Sequence, residues 1–212
     1  MELKDVVSIV ISAIAVLIAL STFLVNSFRK TSDDRHALRG SLNDVISKIF
    51  SVRIEQVKYI QDHPNWAQSE LTLSVNNVLT AQLRSYARLA DYIIPKIKGL
   101  VSDIELATVA ETLAATGEQI DADAYWHAAI ASAKSESQQI QYRRSYAAFL
   151  FGIGQLASGR EEYQTALGLF RDNDDISKAQ NGATYKFWGL CELRVDNRSM
   201  AENYFMYAKD LY

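Results

Sequence analysis

Residues 102–129 read SDIELATVAETLAATGEQIDADAYWHAA, and this stretch decides the fold class. Ser102 with Glu105 three residues on forms a capping box, in which the hydroxyl and the carboxylate satisfy two amides at a helix start. Leu106, Val109, Ala110 and Leu113 then follow at three-and-four spacing, which puts them on one face of a helix. Gly117 breaks that helix, and Ala122, Trp126 and Ala129 mark the inner face of a second. Small residues let the two helices approach closely, and the large aromatic fills the space between one pair and the next.

The pattern recurs downstream. Tyr185, Trp188 and Gly189, a turn near Asp196, then Ala201, Phe205 and Ala208 reproduce the same internal offsets. A middle unit reads less regularly as Ala148, Phe151 and Gly152, a turn at Gly159, then Ala166 and Phe170, with two extra residues after the turn. Stacked pairs of this kind bury their faces only against one another, as in a helical solenoid.

Upstream, Ser41-Leu42-Asn43-Asp44 reads as a capping signal for a helix carrying Leu42, Val45, Ile46, Ile49, Phe50, Ile54, Val57 and Ile60. His63-Pro64-Asn65 ends it, because the residue before proline avoids helical angles. Ser69 is the expected cap of a partner helix with Leu71, Val75, Val78, Leu79, Leu83, Tyr86, Leu89 and Ile93 inward, stopped by Pro95 and Gly99. The two form an antiparallel hairpin. Asn26 to Gly40 is either a continuation of the preceding segment or a short linker.

That preceding segment is Val6 to Val25, VVSIVISAIAVLIALSTFLV, twenty residues without charge, Gly or Pro. At about 1.5 Å per residue it is long enough for a hydrocarbon core of about 30 Å, so it reads as a single transmembrane anchor. Arg29, Lys30, Arg35 and Arg39 follow it, which predicts a cytoplasmic carboxy-terminal domain; the lone Cys191 fits a reducing compartment. Ser8, Ser12, Ala15, Ala19 and Thr22 form a stripe of small residues suited to self-association in the bilayer.

The 212-residue chain carries a net charge of −3, two prolines and nine glycines. The charge argues against a general nucleic-acid binder, and the few turn residues against an all-β fold. The expected architecture is all-α: anchor and flanks over 1–30, juxtamembrane segment and hairpin over 31–100, helical repeats over 101–212. His36, His63 and His127 stand apart, and none lies in a metal-binding spacing. Gly152-Ile153-Gly154 lacks the rest of a phosphate loop, and Cys191 reads as a small core residue. No catalytic set, metal site or cofactor site is expected, so the chain does not read as an enzyme.

The repeat residues Tyr185, Trp188-Gly189, Ala201, Phe205 and Ala208, and Leu106, Gly117, Ala122, Trp126 and Ala129, resemble the tetratricopeptide repeat family over roughly residues 102–212. That family's closing proline is absent, and the units are spaced more widely than its period of about 34 residues, which leaves another αα-hairpin array open. The resemblance implies a scaffold that binds a protein or peptide on the first helix of each unit. Mapped on this sequence, that surface comprises Tyr146, Phe149 and Ile153 with Lys186, Leu190 and Arg194, an apolar floor with two cations. The reading is therefore a membrane-anchored scaffold or adaptor. An alternative is an effector whose anchor oligomerises and permeabilises the bilayer, with the helical domain as sensor.

Overall fold

A computed structural model of the chain describes residues 34–169 and 174–211, and among them every regular element is helical. The expected span, its stripe Ser8, Ser12, Ala15, Ala19 and Thr22, and Phe170 lie outside the described residues. Among the described residues no helix is long and apolar enough to cross a membrane.

Helix α1 covers 34–62 and α2 covers Glu70–Ile93; short 3-10 turns, Trp66–Gln68 and Ile94–Ile97, precede and follow α2. Three shorter pairs follow: α3 (Asp103–Ala115) with α4 (Gln119–Ser132), α5 (Glu136–Gly152) with α6 (Leu156–Leu169), and α7 (Asp175–Arg194) with α8 (Arg198–Leu211). Each pair packs within itself, and α3 meets α5 as α5 meets α7. The first helices thus lie side by side.

Ser41 does not start a helix. It sits inside α1, where its hydroxyl donates to the Ala37 carbonyl at 3.1 Å; with its side chain bonded back within the helix, Ser41 does not cap a helix start. Pro64 ends α1 as expected. Ser69 is the N-cap of α2, but its side chain accepts no cap bond. The hairpin is antiparallel: Arg35 donates to the Lys98 carbonyl at one end, and Gln56 donates to Asn76 and Thr80 nearer the other.

The buried stripe of this hairpin is shorter than the sequence suggests. Leu42, Val45, Ile49 and Val52 of α1 and Leu79, Leu83, Ala87, Ala90 and Ile93 of α2 are buried, whereas Ile54, Val57, Leu71 and Val78 are exposed. The core cluster built on these residues continues through α3 and α4 into α5; its last buried member on α1 is Val52 and its first on α2 is Leu79, with Tyr59 and Val75 packed half-buried beyond them.

The three following hairpins share one register. The Ser102–Glu105 capping box forms as read; Ser135 and Asp174 cap α5 and α7 by accepting from the amides of Gln138 and Ser177. Gly117, Gly154 and Asp196 all adopt left-handed angles, with φ of 88°, 82° and 58°. After each, the same closing bond runs back five residues: Glu118 N–H to Leu113, Gln155 N–H to Leu150 and Asn197 N–H to Glu192, at 2.9, 2.8 and 2.9 Å. This pairing satisfies carbonyls that a helix end would otherwise leave open.

The middle unit is therefore regular, and its expected register is corrected. Gly159 is not a turn residue; it lies buried within α6. Ala147, Gly159, Tyr163 and Ala166 occupy the places of Ala110, Ala122, Trp126 and Ala129, with no inserted residues. A Cβ on Gly159 would lie 2.6 Å from the Phe151 ring, and one on Gly189 would lie 2.8 Å from Phe205. Here glycine serves close helix approach.

Candidate functional site

The first helices of the hairpins share a face, which Trp126 of α4 also borders. Two hollows open along it. One of about 310 Å³ touches Phe50 of α1, Ile104, Ala107 and Glu111 of α3, and Gln141 and Ser145 of α5. The next, of about 300 Å³, shares Gln141 and Ser145 and continues to Arg144, Ala148 and Phe187. A third, smaller one lies between Ala148, Phe151, Cys191 and Arg194. They join along α5 into one cleft that runs from α1 to α7.

Its walls change in character along their length. At the α1 end Glu111 pairs with Arg53 at 2.8 Å, and Arg53 also donates to Thr112. Ile104 and Phe50 are exposed there. At the α7 end the Arg144 guanidinium lies 5.6 Å from the Phe187 ring centroid, within cation–π range. Phe187 and Leu190 are exposed beside Lys186 and Arg194. The result is an apolar strip with cations at one end.

The six residues expected from the sequence divide between two places. Lys186, Leu190 and Arg194 lie exposed on α7, and Arg194 lines the third hollow. Tyr146 is instead buried at the joint between hairpins, where its hydroxyl donates to Asp123 at 2.7 Å. Burial first, then that bond to a carboxylate, pushes its pKa far above the ordinary tyrosine range. Phe149 and Ile153 pack half-buried against the larger core.

The cause is the register of the middle unit. The sequence reading places Gly152 opposite Gly189, whereas the structure places Ala147 there, five residues earlier. Five residues turn a helix by about 140°, which is enough to exchange one face for another. Moved back by five, Tyr146, Phe149 and Ile153 become Gln141, Arg144 and Ala148, all of which line the cleft. The matching residues of α3 are Ile104, Ala107 and Glu111. Equal spacing from Ala110 and Ala147 would have found both sets.

The joints that hold this face together are polar. Arg39 of α1 pairs with Glu105 of α3, which also accepts from the Ser102 amide and hydroxyl; burial raises the Glu105 pKa, but these partners outweigh it and leave it lowered. Tyr125 donates to Asp91 and Tyr142 to Asp103, and Arg143 pairs with Glu162. Glu192 is fully buried and takes four bonds: two from Arg160 at 2.7 and 2.8 Å, one from Trp188 and one from Asn197. No cluster of three or more metal-ligating side chains occurs among the described residues. Compared with protein-family models, with curated proteins and with solved structures, the chain matches none.

Proposed function

We propose that this chain is a membrane-anchored adaptor whose helical hairpins, a tetratricopeptide-like solenoid, hold a protein or peptide partner along the shared face of α1, α3, α5 and α7. The partner is an acidic, partly apolar segment, extended or helical. One observation carries this reading: Ile104 and Phe187 stay exposed along a row of adjoining hollows whose α7 end is lined by Arg144 and Arg194, with Lys186 and Leu190 exposed on the same helix. Apolar side chains would seat alternate residues of a bound segment, and the cations would meet its carboxylates. The run Val6–Val25 supports a single-pass anchor, and the basic residues after it support a cytoplasmic position for the hairpins.

The test is recovery of partners by the full-length chain from membranes, followed by affinity measurement with the segment identified. Lys186→Glu with Arg194→Glu lowers recovery to background, while Glu161→Lys on α6 leaves it intact. Unchanged recovery by the double variant would reject the cleft as the binding surface.

A further inference from the structure

We propose that the outer face of α8 docks a second copy of this chain, two α8 helices pairing antiparallel about a two-fold axis. The same positions in the preceding hairpins each receive a neighbour. On α4, Asp123 accepts from Tyr146 of the next hairpin, His127 lies edge-on to the Tyr146 ring at 5.0 Å, and Ile130 is buried. On α6, Arg160 reaches Glu192 of the next hairpin, Tyr163 stacks on Trp188 at 5.4 Å, and Leu167 packs against that cluster.

In the shared register these positions fall on Glu202, Phe205, Met206 and Lys209 of α8. Of these, Glu202, Met206 and Lys209 are exposed, Met206 by 55%. The face that elsewhere receives a neighbour here carries a carboxylate and an ammonium seven residues apart, with a thioether between them.

That charge order selects the occupant. Seven residues span about 10 Å along a helix. In an antiparallel pair whose axis passes between Phe205 and Met206, Glu202 of one copy falls opposite Lys209 of the other, and the reverse contact forms by symmetry. Phe205 and Met206 meet at the axis and supply the apolar burial. A lipid surface would be served by cations alone, and Glu202 opposes that. Exposed ion pairs contribute little affinity, so the charges fix register and partner while the apolar centre holds the contact.

The test uses the full-length chain in membranes with Met206→Cys, which places two thiols near the axis. Oxidation is expected to give a disulfide-linked dimer, and Ile120→Cys, on the far side of α4, gives none. Glu202→Lys or Lys209→Glu in the Met206→Cys background abolishes the crosslink, because each single reversal sets like charges opposite one another. The double reversal restores it, as does mixing the two single variants. Restoration also excludes unfolding as the cause of the loss. A crosslink that survives the single reversals, a double reversal that stays monomeric, or adducts formed only with other proteins would overturn the proposal.

Discussion

The first and third of the short hairpins share a backbone and differ in what fills it. At one position Leu113 and Leu150 are buried in the first two, and Glu192 is buried in the third. The leucines belong to or adjoin an apolar cluster that runs from α1 to α5. Around Glu192 the cluster is instead aromatic and polar, with Tyr163, Trp188 and Tyr204 stacked in sequence and Cys191 Sγ 3.3 Å from the Tyr163 hydroxyl. One end is thus filled at this position by apolar burial, and its paired carboxylate, Glu105, sits at the start of α3 rather than in the middle of the cluster. The other is held by a charge whose partners must all be present, so its stability is conditional in a way the first is not.

Removing that charge is the most direct way to break the contrast. Glu192→Ala leaves Arg160, Trp188 and Asn197 without their acceptor; Arg160 is 33% exposed and can rehydrate, so the cost is that of the unsatisfied buried donors, about 1–3 kcal/mol. Urea unfolding monitored by tryptophan fluorescence measures it. Replacing both partners, Glu192→Leu with Arg160→Leu, is expected to recover most of that loss, because two apolar groups of matching size do not leave a lone charge behind. The third hairpin would then resemble the first.

A second pair of variants tests close approach. Gly159→Ala is expected to cost about 1–3 kcal/mol by overpacking. Gly189→Ala costs less. The obstacle at Gly159 is the buried ring of Phe151 together with the Ala147 carbonyl, whereas Gly189 meets only the half-buried side chain of Phe205 and no backbone atom. Paired thermal melts of the two variants give the order.

The pH dependence sharpens the same comparison. Burial pushes the Glu192 carboxyl up, but the bonds from Arg160, Asn197 and Trp188, with the charge of Arg160, outweigh it and leave its pKa lowered. A lowered folded pKa means that the stabilisation is complete above the ordinary glutamate value of about 4.3 and is lost as pH falls through the folded value. Hydrogen exchange in α7 and α8 should therefore quicken on acidification, and the Glu192→Leu, Arg160→Leu variant should lose this component. The smallest effect is at the turns. Asp196 holds the left-handed angle that glycine holds at 117 and 154, so Asp196→Gly is expected to gain about 0.5 kcal/mol, visible as a small rise in melting temperature.

Much of the helical order is legible from local chemistry. Pro64, the Ser102–Glu105 box and Gly117 mark boundaries where backbone angles or orphan amides leave few alternatives, and the structure has them where the sequence places them. Ser41 misleads because a hydroxyl that can cap can also bond back within a helix. The stripe of α1 is readable as helical, but how far along it a neighbour reaches is tertiary information, and Ile54 and Val57 are left exposed. The middle unit hides its register because three glycines crowd its turn, at 152, 154 and 159, and of these Gly154 is the turn residue while Gly159 takes the place of Ala122. The displaced site residues Tyr146, Phe149 and Ile153 follow from that one shift. Glu192 carries no local sign of burial; its partners come from α6, α7 and the following turn.

The central claim is that the cleft along the first helices is where a partner sits. Photo-crosslinking from single reactive residues in the full-length chain tests it most directly, with Ala107, Gln141 and Phe187 in the cleft compared with Ile120 and Gln164 on the second helices. The account predicts protein adducts from the first three positions and none from the other two. Adducts of equal yield from both sets, or from Ile120 and Gln164 alone, would contradict it.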